Sequence, residues 1–270
     1  MGKTNRKQKC MICIMVIFLS VVILGHWLAP NDPFAINMKR AAQPPSREFL
    51  FGTDNLGRCI LSQVLEAAAL SVLSAVAVVA VVSVVGTIVG ITAGYFGGKV
   101  DAFLMKVTVV VQVLPSFVLA VAIAGILGPG LKNALIAMIL MYWTTYARLS
   151  RSLVIQIKGE QYLEAAKMCG AGHIAIILRY ILPNIVSPIL VTAALDIGSM
   201  MLTLAGLSFL GLGAQPPVME WGVMISTAKN YMQTAPWFVA FPSLALFLTV
   251  LLFNRFGDML REKNENREET

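Results

Sequence analysis

The sequence EQYLEAAKMCG, residues 160–170, is a charged stretch inside a very apolar chain, and it continues to Leu182-Pro183. On a helix, the apolar side chains of this stretch recur at i, i+3, i+4 and i+7 and predict one narrow stripe: Tyr162, Ala165, Ala166 and Cys169. Glu164 and Lys167 fall on the other side, three residues apart, which favours a surface ion pair. The pattern therefore predicts a short amphipathic helix.

Glycine and proline delimit this helix and the one that follows it. Gly170 is expected to end the first helix, because glycine readily adopts the left-handed conformation found at helix C-termini. A second helical stretch, 174–181, is expected to end before Pro183. Together these signals predict a short helix-turn-helix between two apolar segments.

The composition points to a membrane protein. Of the 270 residues, 57% are hydrophobic and 13% are charged, about half the charged share of a soluble domain. Several uncharged runs exceed the roughly 20 residues that a helix needs to cross a bilayer. The runs are continuously apolar rather than alternating, which argues against a transmembrane strand barrel. An all-α integral membrane protein is expected.

Six transmembrane helices are expected, at about 11–29, 70–95, 107–127, 133–147, 184–212 and 237–253. The first apolar run is long and lacks a clean cleavage site, so it is interpreted as a membrane helix rather than a signal peptide. Pro115 lies inside the third span, where it predicts either a kink useful to a gate or a static bend. Arg148 and Arg151 are expected to end the fourth span. Small residues at four-residue spacing predict close packing of the second helix: Gly86, Gly90 and Gly94.

Composition and charge divide the chain into four parts: a cytoplasmic N-terminus with the first transmembrane helix (1–29), an extracytoplasmic loop (30–66), a core (67–258) and a cytoplasmic tail (259–270). The charged loop, 148–183, belongs to the core. With the N-terminus inside and six spans, fifteen of the 21 lysines and arginines face the cytoplasm and six face outside. This asymmetry predicts that both termini and the charged loop are cytoplasmic, in a multi-pass protein of the cell membrane.

The basic residues do not indicate a nucleic-acid or nucleotide site. The net charge of +7 comes from residues that flank apolar segments, which indicates topology and contact with anionic membrane lipid rather than nucleic acid. Gly98-Lys99 is followed by Val100 and preceded at the required spacing by Ala93, so it fails the phosphate-binding P-loop pattern. No nucleophile, base or metal constellation is present in the sequence. The chain is therefore not expected to be an enzyme or to hold a cofactor.

Three motifs carry a family resemblance. The triplet Glu-Ala-Ala at 164–166, followed by Gly170 and by Leu-Pro at 182–183, resembles the EAA motif of ABC importer permeases, with Tyr180 where that family usually has isoleucine. Two further motifs resemble the second permease subunit of dipeptide, oligopeptide and nickel importers: GTDNLGR at 52–58 and LSFLGLG at 207–213. Cys59 stands where those proteins usually have aspartate. The resemblance implies the MetI-like transmembrane fold of type-1 ABC importers.

The resemblance also implies partners. These are a homologous second permease that completes a heterodimer, two cytoplasmic ABC ATPase subunits that hydrolyse ATP, and an extracytoplasmic substrate-binding protein. The loop helix would dock on an ATPase, since two alanines and a terminal glycine make a narrow knob that another protein can approach closely. The residues implied in this coupling are Glu164, Ala165, Ala166, Lys167, Gly170, His173, Leu182 and Pro183. The alternative is a solvated amphipathic loop helix.

The substrate is inferred from finer similarity. Segments 170–173, 195–201 and 220–225 look closer to nickel-type second permeases than to peptide-type ones. Nickel or a metal chelate is therefore the leading substrate, with di- or oligopeptides as the alternative. A stand-alone secondary transporter is a third interpretation, but it should show inverted repeats and several intramembrane charges.

One intramembrane carboxylate marks a candidate translocation path. Asp196 is the acidic residue inside a predicted span, where a charge is costly and usually faces the bundle interior or water. A structural hydrogen bond to a neighbouring helix explains it equally well. Met200 and Met201 follow within five residues, although methionine in an apolar helix is usually filler.

No metal site is predicted. His26 and His173 fall on opposite sides of the predicted membrane, and all four cysteines, including the C-x-x-C pair at 10–13, are expected to be free thiols. High-affinity recognition is therefore expected to belong to the binding protein.

Overall fold

The computed structural model describes the backbone of residues 2–268 and the side chains of residues 8–264. Within that range the regular structure is helical, apart from one isolated bridge between Thr53 and Cys59. The helices are α1 (Gly2–Leu28), α2 (Ile60–Phe96), α3 (Gly98–Val111), α4 (Ser116–Leu127), α5 (Leu131–Lys158), α6 (Gln161–Met168), α7 (His173–Ile176), α8 (Leu182–Phe209), α9 (Trp221–Ala228) and α10 (Pro236–Glu268). The predicted all-α fold is confirmed.

Four helical segments in the described part of the chain are long and apolar enough to cross a membrane: Gln8–Leu28, Ile60–Phe96, His173–Phe209 and Pro236–Asn264. The helices α3 and α4 meet the same requirement only as a pair, and the angle between them is 77°. The remaining long helix, α5, does not meet the same requirement of length and apolar composition. The six-span topology with cytoplasmic termini stays a prediction.

The second helix begins earlier than predicted, at Ile60 instead of about residue 70. The sequence predicted a loop as far as residue 66, which includes Glu66. In the structure, Glu66 remains within α2 and its carboxylate lies 2.8 Å from His26 Nδ1 on α1. A polar partner on the neighbouring helix therefore lets the helix include the carboxylate.

The prediction of one continuous third helix around Pro115 was wrong. α3 ends at Val111, and α4 begins at Ser116 directly after the proline. Proline has no N–H to donate and disfavours helical geometry in the residue before it. The chain turns sharply at this break instead of bending within a helix.

The fourth predicted span also ends later than expected. Arg148 and Arg151 do not stop α5, which continues to Lys158. The guanidinium of Arg151 donates two hydrogen bonds to the carboxylate of Asp101 on α3, at 2.5 and 2.6 Å. This bidentate ion pair gives the charge of Arg151 a partner on α3, so α5 can continue past Arg151.

The predicted helix end before Pro183 is likewise wrong. Residues His173–Phe209 run as one continuous helical segment, in which Ile177–Ile181 forms a π-helical turn. Pro183 is the second residue of α8, directly after that turn. A π turn locally changes the hydrogen-bond pattern, which accommodates the missing donor of the proline.

The seam between α2 and α5 depends on glycine, as predicted. A Cβ added at Gly86 or Gly90 would collide with backbone oxygens of α5, those of Trp143 and Ala147 respectively. At Gly94 it would press on the side chain of Val154. The three glycines therefore let the two helix backbones approach closely, and the packing role is confirmed.

Candidate coupling site and translocation path

The charged stretch forms α6 and a tight turn. The amide N–H of Gly170 donates to Lys167 O at 2.9 Å, and that of Ala171 donates to Ala166 O at 3.0 Å. Gly170 has φ of +82°, so these bonds form the glycine-dependent Schellman C-cap. The predicted helix stop at Gly170 is confirmed. We call residues 161–173 the α6 segment.

The face that α6 buries differs from the predicted stripe. Leu163 is 1% exposed and Ala166 is 8% exposed. Tyr162, Ala165 and Cys169 lie at the surface. Burial of the larger Leu163 side chain in the hydrophobic core gains more free energy than burial of alanine or cysteine.

The exposed face of the α6 segment consists of small or flexible groups. Ala165 is exposed, Met168 is 89% exposed, and a Cβ at Gly170 would meet nothing within 4 Å. Among the ion pairs of the described residues, Glu164 and Lys167 do not pair within 4 Å, contrary to the sequence pattern. Both charges therefore point to solvent in this chain.

His173 lies at the end of the α6 segment and contacts the end of α2. Its Nδ1 is 2.8 Å from the hydroxyl of Tyr95. Its ring centroid is 5.6 Å from that of Tyr95 and 5.9 Å from that of Phe96. Leu182 and Pro183 come after the π turn, further along the helical segment that begins at His173. The structure thus places α6, Gly170 and His173 next to one another in the chain, with Leu-Pro farther along the long helix.

Asp196 has a partner on a neighbouring helix. The hydroxyl of Tyr146 on α5 donates to its carboxylate at 2.8 Å. Met200 and Met201 are each 2% exposed and belong to the hydrophobic core. Within this chain, the two methionines therefore pack in the core while Asp196 keeps partial exposure. The described residues contain no group of three or more histidine, cysteine, aspartate or glutamate side chains that could hold a metal ion.

A second motif-bearing region lies directly before the N-terminal end of α2. It is a loop of residues 52–58 organised around Asp54, and we call it the Asp54 knot. The Asp54 side chain is fully buried and accepts four hydrogen bonds, of 2.6 to 2.9 Å. The donors are the amide of Leu56, the amide and Nε of Arg58, and Nε2 of Gln63. Sequence reasoning used the GTDNLGR motif only for its family resemblance and did not predict that its central carboxylate is buried. A fully bonded buried carboxylate organises this loop.

The loop before α10 also rests on α2. Glu220 is 1% exposed and caps α9 by accepting from the amides of Gly222 and Val223 at 2.8 and 3.1 Å. The amide of Trp221 donates to Ser71 Oγ on α2 at 3.1 Å. The short helix α9 in this loop is therefore capped by Glu220 and attached to α2.

These features define a class: a multi-pass helical membrane protein with an exposed loop helix at one end of α2 and a packed loop structure at the other end. Residues 86–267 match the family described as "Binding-protein-dependent transport system inner membrane component". The chain belongs to this family.

Relatives that are named for different substrates are similar to this chain to the same degree. The chain is 39% identical to the nickel transport system permease protein of Escherichia coli K12, over 93% of this chain and 91% of that protein. It is 40% identical to a probable D,D-dipeptide transport system permease of the same organism, over 92% and 84%. It is 39% identical to a dipeptide transport system permease of Alkalihalophilus pseudofirmus, over 96% and 86%.

A solved transporter shares the fold. A chain of the methionine ABC transporter MetNI, in inward-facing conformations, matches with a TM-score of 0.55 at 17% identity, over 71% of this chain and 94% of that chain. The predicted MetI-like fold is confirmed. The protein is an inner-membrane permease component of an ABC importer, and it is not the subunit that hydrolyses ATP.

Proposed function

We propose that this chain is one permease of a heterodimer that imports nickel or a metal chelate, and that two cytoplasmic ATPases drive it through the α6 segment. The observation that carries the coupling role is the open surface at Ala165 and Gly170, held in place by the buried Leu163 and the glycine C-cap. A rigid helix with a small-residue face permits close approach of another protein.

The residues of α6 would have different roles in docking. Ala165 and Gly170 leave room for the groove of the ATPase, while Glu164 and Lys167 are free to set the orientation by charge. Ala166 instead holds the helix to its own bundle. Leu182 and Pro183 act at a distance, at the start of the long helix that carries Asp196.

The coupling role is tested with Ala165→Arg and Gly170→Asp. Both variants are expected to reach the membrane, to lose co-purification with the ATPase and to abolish cargo uptake. Ala165→Ser is the matched control, because serine stays small, and it should retain both activities. Normal uptake and normal co-purification in Ala165→Arg would remove the docking proposal.

One apolar surface of this chain is a candidate for contact with the second permease. An apolar groove of about 430 Å³ runs between α2 and α8, lined by residues that include Val84, Ile88, Val186 and Leu190. A homologous permease that covers this groove would remove apolar surface from lipid contact and leave a shared path between the two chains. Asp196, hydrogen-bonded to Tyr146, is proposed to line that path.

The substrate proposal follows the nickel-type segments at 170–173, 195–201 and 220–225, together with the similarity to the nickel permease across 93% of the chain. Dipeptides are the second candidate, because dipeptide permeases are equally similar. Uptake of radioactive nickel and of a labelled dipeptide should be compared in cells that lack this chain and in cells that express it. Restored peptide uptake without nickel uptake would overturn the nickel proposal and leave the architecture intact.

A further inference from the structure

The α6 segment contacts the bundle at a small set of positions. Leu163 is 1% exposed and enters the hydrophobic core, and the hydroxyl of Tyr162 accepts a hydrogen bond from Nδ2 of Asn184 on α8 at 3.4 Å. The polar attachment to α2 is the hydrogen bond between His173 Nδ1 and the Tyr95 hydroxyl, at 2.8 Å. Because apolar contacts can slide while a hydrogen bond requires a defined distance and angle, this bond determines where the segment meets α2.

The aromatic surroundings restrict the His173 ring further. Tyr95 lies edge-on to it, with an angle of 75° between the ring planes, and Phe96 contacts it at a tilt of 54°. Tyr95 itself is only 7% exposed, so its ring is fixed by the bundle. The imidazole therefore occupies a corner formed by the last two residues of α2.

The helix that receives this contact reaches the other face of the molecule. α2 has 37 residues, so it is about 55 Å long at 1.5 Å per residue. Near its opposite end, Gln63 donates to Asp54 at 2.8 Å and Ser71 accepts from the Trp221 amide at 3.1 Å. The glycine seam binds α2 closely to α5. α2 therefore connects the contact at His173 with the loops at its N-terminal end.

We propose that Tyr95 and His173 are positioning residues that transmit movement of the docked α6 segment to α2. The inference rests on the proposed function, since it requires an ATPase to move that segment. In this proposal His173 contacts α2 of its own chain rather than the ATPase. When the docked segment shifts, the hydrogen bond makes helices α2 and α5 move with it. Without the bond, the segment moves and α2 and α5 follow it less closely.

The test uses the assembled importer in lipid vesicles and measures cargo transported per ATP hydrolysed. Tyr95→Phe removes only the hydroxyl and should lower this ratio by about two- to tenfold, the range expected for loss of one hydrogen bond. Tyr142→Phe is the matched control, because it removes a hydroxyl that lies 3.4 Å from Thr203 Oγ1 between α5 and α8. The control should leave the ratio unchanged.

Two further variants separate positioning from folding. His173→Ala combined with Tyr95→Phe should be no worse than either change alone, because both remove the same bond. His173→Asn keeps a hydrogen-bonding atom close to the position of Nδ1. It should therefore transport more cargo per ATP hydrolysed than His173→Ala does. An unchanged ratio in Tyr95→Phe, or fully additive losses in the double variant, would overturn the inference.

The outcomes also separate this inference from docking. Tyr95→Phe should keep normal co-purification with the ATPase, whereas Ala165→Arg loses it. If Ala165→Arg co-purifies normally, the docking proposal fails. If docking holds and Tyr95→Phe transports normally per ATP, only the positioning role of Tyr95 and His173 fails.

Discussion

The α6 segment and the Asp54 knot are two motif-bearing regions near opposite ends of α2, and they use their residues in opposite ways. In the α6 segment, Ala165 and Met168 are exposed and Gly170 faces open space. In the knot, Thr53 and Asp54 are fully buried, and a Cβ at Gly57 would collide with the backbone oxygen of Asn37. A recognisable motif can thus lie exposed at the surface or be buried in the chain's own packing.

The largest effect is expected in the knot, from Asp54→Ala. The change leaves the Nε of Arg58 and three further donors without their acceptor. Removal of one member of a buried ion pair typically lowers the free energy of unfolding by about 3–5 kcal/mol. Thermal unfolding of the purified chain in detergent measures the loss.

The matched control for that prediction is an exposed ion pair in the same loop, Arg40 with Glu48. Glu48→Ala should cost about 0–1 kcal/mol, because exposed pairs contribute little. Similar losses in Asp54→Ala and Glu48→Ala would contradict the contrast between the knot and the exposed surface.

Gly57→Ala should be the next most damaging change. Its φ of +76° is strained for alanine, and the new methyl group would press on the Asn37 carbonyl. Strain and overpacking together are expected to cost about 2–4 kcal/mol of unfolding free energy. The unfolding transition in detergent reports the difference, and a loss below that of Glu48→Ala would show that the loop yields easily.

Leu163→Ala tests which face of α6 is buried. The substitution should destabilise the α6 segment by about 2 kcal/mol, because it removes a side chain that is 1% exposed. Hydrogen exchange across residues 161–173 in the full chain measures this local effect. Cys169→Ser, at an exposed position of the predicted stripe, is the control. Faster exchange in Cys169→Ser than in Leu163→Ala would restore the stripe as the buried face.

Gly170→Ala should cost less than Asp54→Ala, Gly57→Ala or Leu163→Ala. Its φ of +82° matches that of Gly57, but a Cβ here would meet nothing within 4 Å. Only the backbone strain remains, about 1–2 kcal/mol. Hydrogen exchange of the same segment should rise modestly while the unfolding transition of the whole chain stays unchanged. A loss equal to that of Gly57→Ala would mean that the surroundings of Gly170 are not open.

Local signals in the sequence predicted the elements that depend only on neighbouring residues. Gly170 ends α6 because left-handed geometry is a property of that residue. The glycine spacing in α2 predicted the close seam because the interval follows from the helix repeat. Predictions that assumed a charge must end a helix failed at Glu66 and Arg151, since each finds a partner on another helix.

The sequence by itself determined that this is a helical membrane protein with a short loop helix ending at Gly170, because apolar run length and glycine conformation are local properties of the chain, and its motifs carried the resemblance to importer permeases. The tertiary structure decided which side of that helix is buried, that Arg151 and Glu66 remain within helices, and that His173 bonds to Tyr95 across 78 positions. Such choices depend on which groups meet when distant segments pack, and the energy of a buried side chain or charge is set by those neighbours.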